Sequence, residues 1–126
     1  MADDHFGVRE LIRDLVSAEH EVLAAFEDCE SLLGSLDKLV PEVVLLDISM
    51  PEMGGFSLAE QIRHDWPATK IIFVTQHAER AYVERALHIG ASGYVLKRTL
   101  VADLLPAIRE VCAGKMFVSP QVISRS

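Results

Sequence analysis

The chain is 126 residues long, with a formal net charge of −7 and a pI near 5.1. That length suits one domain able to bury its own core, and the acidic balance excludes a bare basic nucleic-acid surface as its main business. Half the residues are apolar and a quarter are charged, which argues against intrinsic disorder.

No apolar run approaches the roughly 20 residues of a membrane span, and Met1-Ala2-Asp3-Asp4 is acidic where a secretory leader would be basic, then apolar. Cys29 and Cys112 match no metal spacing and are too few for a disulfide framework. A reduced, cytoplasmic setting is expected, with no membrane contact.

In chain order, Val8, Leu11, Ile12, Leu15 and Val16 share one face of a helix. Glu21–Phe26 is a weak strand candidate. Leu32, Leu36 and Leu39 mark a second helix, weakened by Gly34. Val43–Leu46 is a continuous apolar run, as a strand reads when both its faces are covered in a parallel sheet.

A third helical stripe runs Phe56, Ala59, Ile62, Trp66 and leads to the run Ile71–Val74. A fourth stripe, Tyr82 to Ile89, leads to the run Gly93–Leu96. The last helix carries Leu104, Leu105, Ile108, Val111 and Cys112. Pro106 belongs in a first turn, so that helix is expected to start near Ala102 or Asp103, or to kink if it starts earlier. Gly90, Gly93 and Gly114 are expected to close helices.

Strands alternating with helices predict an α/β fold: βαβ units in a doubly wound parallel sheet. In such sheets chemistry gathers at the carboxyl ends of the strands. The three strong runs end in Asp47, Thr75 and Lys97.

Asp47 alone reads more readily as a turn former or helix cap, Thr75 as a β-former, and Lys97 as a solvated lysine. Asp3 and Asp4 alone read equally well as an acidic helix start. Together the carboxylates call for a hard cation, which Mg²⁺ suits because it takes oxygen ligands and keeps several waters. Thr75 and Lys97 would supply a donor and a positive charge for the oxygens of a phosphoryl group on Asp47.

The blocks Ala2-Asp3-Asp4-His5, Val43 to Met53, Val74-Thr75 and Gly90-Ala91-Ser92-Gly93-Tyr94-Val95-Leu96-Lys97, in this order, resemble the receiver domain of two-component response regulators. The block Gly90 to Lys97 and the tail Ala113 to Pro120 look most like the LuxR/NarL-type subgroup, in which a DNA-binding helix-turn-helix domain follows.

The resemblance implies a flavodoxin-like (βα)5 sheet of order 2-1-3-4-5, a receiver over residues 1–120 and the start of a linker over 121–126. It implies that Asp47 is phosphorylated by a sensor histidine kinase or a small phosphodonor. Mg²⁺ would be held by Asp4, by Asp3 through water, by Asp47 and by the Ser49 carbonyl. Thr75 and Lys97 would contact the phosphoryl oxygens, and Tyr94 would turn inward as Thr75 is drawn toward the phosphate.

DNA would be reached only through a separate output domain. The chain would not be an enzyme beyond its own phosphorylation and dephosphorylation. Ser49 and His77 occupy positions that, by the same resemblance, tune phosphoaspartate hydrolysis.

The sequence departs from the pattern at its front, where only Met1-Ala2 precede the acidic pair. The first, central strand is therefore expected to be truncated or missing, which leaves apolar sheet edges and favours a homodimer. The competing reading is a pseudo-receiver, an interaction or dimerisation module without working phosphorylation. An aspartyl phosphatase would want a carboxylate where Ser49 stands, and a cofactor-binding flavodoxin would want a phosphate loop after the first strand position.

Overall fold

The computed structural model describes residues 6–17, 29–39, 41–48 and 54–123. The elements are α1 (Phe6–Ser17), α2 (Cys29–Leu39), β1 (Val43–Leu46), α3 (Gly55–Asp65), β2 (Lys70–Thr75), α4 (Arg80–Ile89), β3 (Gly93–Leu96), α5 (Leu100–Cys112), β4 (Phe117–Val118) and α6 (Pro120–Ile123). A 3₁₀ turn, Lys97–Thr99, joins β3 to α5.

The strands lie side by side in the order β1-β2-β3-β4, and every pairing is parallel. The three apolar runs therefore form adjacent strands of one sheet, the third, fourth and fifth of the expected order. Leu46 pairs with Phe73 and Thr75 with Leu96, so the strands end nearly level.

Side chains alternate across a sheet, and the alternation divides the core in two. Val44, Leu46, Ile71, Phe73, Tyr94 and Leu96 point to one face, where Leu36 of α2, Ile62 of α3 and Ala86 of α4 cover them. Leu45, Ile72, Val74 and Val95 point to the other face, under Ile12 and Val16 of α1 and Leu104, Ile108 and Val111 of α5. Both faces are dry, which is why the strands read as unbroken apolar runs rather than as alternating ones. Each fully buried Leu or Ile contributes roughly 1.5–3 kcal/mol to this arrangement.

Gly90 closes α4 with φ 108°. That left-handed conformation lets its amide meet the last carbonyls of the helix, as a C-terminal glycine should. The C-terminal end of α5 is tied down differently: Lys70 Nζ donates to the Val111 carbonyl at 2.8 Å.

Several expectations need correction. Of the two alternatives for α5, the later start near Ala102 or Asp103 is overturned: the helix starts at Leu100 and runs through Pro106, which is not in its first turn. Ala102, whose carbonyl the proline cannot serve, is exposed to water. Burial of Leu100, Leu104, Ala107, Ile108 and Val111 outweighs the lost bond. Gly93 opens β3 rather than closing a helix.

The tail forms a short strand, β4, which pairs Phe117 with Gly93 and Val118 with Tyr94. No strand was expected there, because two residues carry no periodicity. Val122 of α6 is buried against the core, so packing continues past position 120. The strand candidate Glu21–Phe26 and the short front Met1-Ala2 lie outside the described residues.

Candidate functional site

Asp47 follows β1 directly, one step beyond the Leu46–Phe73 pair, and its side chain is only 2 % exposed. A carboxylate that deep requires a compensating charge or donors. Lys97, the first residue after β3, brings its Nζ to 2.8 Å from Asp47 Oδ2, and its own side chain is 15 % exposed. The pair joins residues 50 positions apart. It crosses β2, whose last residue, Thr75, is fully buried.

Thr75 Oγ1 accepts the amide of His77 at 3.2 Å. The His77 carbonyl accepts the hydroxyl of Tyr94 at 2.6 Å. The loop after β2 is thus held from two strands at once. Its imidazole stacks on Tyr82 with ring centroids 4.4 Å apart, and Nδ1 lies 3.5 Å from a Glu79 carboxylate oxygen. Tyr94 is inward and wholly buried. Burial, and then the charges of Glu79, Tyr82 and Asp47, push its phenol well above the ordinary tyrosine range.

The turn after Asp47 is shaped by a close approach. A Cβ on Gly55 would stand 2.2 Å from the Asp47 carbonyl oxygen and 2.6 Å from Ile48 Cα. The Gly55 amide donates to the Ile48 carbonyl at 2.9 Å. Only glycine lets α3 start this close to the strand that carries the aspartate.

Asp47 and Lys97 are therefore in direct contact, and Thr75 ends the strand between theirs. Asp3, Asp4 and Ser49 lie outside the described residues. Among the described residues no group of three or more His, Cys, Asp or Glu side chains could hold a metal ion. What the described part offers a hard cation is the Asp47 carboxylate at a strand end, a donor type that fits Mg²⁺. Among the described residues no helix is long and apolar enough to cross a membrane.

The close approach of Gly55 to the Asp47 backbone and the polar contacts of the tail went unrecognised in the sequence. Gly55 had the signal of a Gly-Gly pair soon after Asp47; Ser119 had only a serine before a proline.

A doubly wound parallel sheet with a carboxylate, a hydroxyl and an ammonium at the ends of three adjacent strands defines a flavodoxin-like α/β domain with its site on the carboxyl edge. Residues 1–109 match the response regulator receiver domain, and the chain belongs to that family.

Among curated relatives, the transcriptional regulatory protein DegU of Brevibacillus brevis is 33% identical over 122 residues, covering 95% of this chain and 52% of DegU. The chain thus spans about half the length of that relative. A LuxR-family two-component response regulator from Aurantimonas sp. SI85-9A1 superposes with a TM-score of 0.92 at 32% identity, covering 98% of this chain and 89% of that one. The isolated receiver domain of RcsB from Salmonella enterica serovar Typhimurium, solved in the presence of the phosphomimetic BeF3−, superposes with a TM-score of 0.90 at 32% identity, covering 98% of this chain and 93% of that one.

Proposed function

We propose that this chain is a phosphorylation-dependent switch in which Asp47 is the phosphoacceptor. The observation that carries the reading is the 2.8 Å contact between Lys97 Nζ and the buried Asp47 carboxylate at the carboxyl edge of the sheet.

A carboxylate oxygen of Asp47 attacks the phosphorus of a phosphodonor. The new P–O bond makes an acyl phosphate as the donor's P–N or P–O bond breaks, and the leaving imidazole or carboxylate keeps that electron pair. Little covalent chemistry falls to the protein, so positioning and charge do most of the catalysis. Lys97 neutralises charge that grows as the phosphoryl group arrives. Thr75 carries a hydroxyl proton that it can turn from its loop toward a phosphoryl oxygen.

Mg²⁺ held by Asp47 with Asp3, Asp4 and the Ser49 carbonyl, the set implied by the family resemblance, would screen the incoming negative charge. The product carries about −1.5 to −2 charges where a single carboxylate stood.

The signal leaves through the loop. Thr75, the His77 main chain and Tyr94 form one hydrogen-bonded chain. A displacement of Thr75 toward the phosphoryl group therefore bears directly on Tyr94 and on α4, and biases a two-state surface. The resemblance associates an inward tyrosine with the phosphorylated form, and Tyr94 is inward in this arrangement.

The partner would be a sensor histidine kinase in the cytoplasm. The output would be transcriptional control through a DNA-binding domain like those of the longer relatives, with no DNA contact by this domain itself. The chain would carry out no reaction beyond its own phosphorylation and dephosphorylation. Homodimerisation belongs to the same reading. It is supported by Leu11 of α1 and Val101 of α5, apolar side chains that are 42% and 69% exposed on two helices that pack together.

The pseudo-receiver reading draws on the short front Met1-Ala2, which lies outside the described residues, and on the 2 % exposure of the Asp47 side chain. Incubation with acetyl phosphate and Mg²⁺, followed on phosphate-affinity gels, separates the two. A shifted band in the native protein that is absent in Asp47→Asn supports the switch; no shift in either supports the interaction module.

A further inference from the structure

After α5 the chain returns to the sheet, and Ser119 grips the end of β3. Its amide donates to the Tyr94 carbonyl at 2.9 Å. Its Oγ accepts the Leu96 amide at 3.0 Å. A parallel ladder would continue with a main-chain carbonyl as that acceptor; a side-chain oxygen fills the place where Pro120 turns the backbone into α6. The same hydroxyl donates to Asp103 Oδ2 at 2.8 Å. Thr99 Oγ1 donates to the same carboxylate oxygen at 2.5 Å.

Ser119 is completely buried. Such a group costs free energy unless its bonds are made, so the network is specific rather than incidental. Lys97 lies between the two tied points. Leu96, immediately before it, is held by Ser119, and Thr99, two residues after it, is held by Asp103. The backbone that aims the lysine at Asp47 is fixed on both sides by a clasp that includes the exit segment of the domain.

We propose that Ser119 and Asp103 are positioning residues for Lys97, and that through them the segment leaving the domain is coupled to the Asp47 site. The proposal rests on the phosphoacceptor reading for its consequence, and on the contacts alone for its geometry. Coupling is reciprocal: pulling Ser119 away from β3 loosens Lys97, and drawing Lys97 onto a phosphoryl group tightens the tail on β3.

The test uses the 126-residue chain and the variants Ser119→Ala, Ser119→Thr and Asp103→Asn. One readout needs no phosphodonor: the ¹⁵N-detected ammonium resonance of Lys97, distinct when the group is held and merged with the other lysines when it is not. The second is the rate of acetyl-phosphate labelling, with thermal melting recorded alongside.

Ser119→Ala and Asp103→Asn are expected to merge the Lys97 resonance and slow labelling on the order of ten-fold, because a small misplacement of a positioned charge is costly. Ser119→Thr keeps the hydroxyl and is expected to restore both. A Lys97 resonance unchanged in both Ser119→Ala and Asp103→Asn, or merged already in the native protein, overturns the proposal. So does a loss in Ser119→Ala that Ser119→Thr fails to restore while its melting temperature is native. A native chain that takes up no phosphoryl group, but whose Lys97 resonance still depends on Ser119, supports the clasp and overturns the phosphoacceptor reading.

Discussion

Replacing Lys97 with methionine removes the positive end of a pair that holds a carboxylate only 2 % exposed. At 2.8 Å the gross attraction is about 6 kcal/mol with an effective dielectric near 20. Desolvation of both groups offsets most of it, so the cost to watch is that of the partner left behind. Breaking a buried pair costs about 3–5 kcal/mol; the lysine's 15 % exposure places this pair at the lower end, about 3 kcal/mol.

Asp47→Asn removes the buried charge itself and leaves a lysine that can extend toward water, so about 1 kcal/mol is expected. In the Asp47→Asn background the Lys97→Met change no longer strands the Asp47 charge, and its cost falls by about 2 kcal/mol or more. Urea unfolding followed by the fluorescence of Trp66, the only tryptophan and one packed against the core, measures all four proteins. With a slope of about 1.5–2 kcal/mol/M, Lys97→Met alone lowers the midpoint by about 1.5–2 M. A midpoint within about 0.3 M of the native one, or a double variant whose cost equals the sum of the singles, refutes the reasoning.

Tyr94 gives a pH dependence. Its phenol is pushed above the ordinary value near 10, so the folded state holds a proton that the unfolded chain releases. The contribution is fully present below about pH 10 and is lost as pH rises through the folded value. Tyr94→Phe should flatten that alkaline loss in denaturant titrations, and an identical slope in both proteins would remove the basis for it. Gly55→Ala forces a Cβ into the Asp47 carbonyl; about 2 kcal/mol or more of destabilisation is expected, and a native-like melting curve would show that α3 can shift freely. Leu104→Ala, at a fully buried position, should cost about 2–5 kcal/mol, whereas Val101→Ala, 69% exposed, should stay within about 0.5 kcal/mol; equal costs would mean that the two faces of α5 have been misjudged.

The sheet was legible because its strands are covered on both faces. Val43–Leu46, Ile71–Val74 and Gly93–Leu96 stand out as unbroken apolar runs, and the next polar residue along each lies at the carboxyl edge. Asp47 and Lys97 could therefore be assigned to one rim before any coordinates. Their direct contact could not, because it depends on strand register across β2.

Features that depend on tertiary context escaped. A two-residue strand such as β4 has no period and exists only because β3 offers an edge. Pro106 argued locally for a later start of α5, but the apolar face of that helix prevailed. The Ser119–Asp103–Thr99 network joins a tail, a helix and a turn that are distant in sequence, and no spacing announces it.

Chemical mapping of the phosphorylated residue tests the central claim most directly. Borohydride reduction of the protein labelled with acetyl phosphate converts an aspartyl phosphate to homoserine, which peptide mass spectrometry locates. Homoserine is expected at position 47, dependent on Mg²⁺ and strongly reduced in Lys97→Met. Homoserine at another carboxylate, or a stable phosphate on a serine, threonine or histidine with position 47 unmodified, would contradict it.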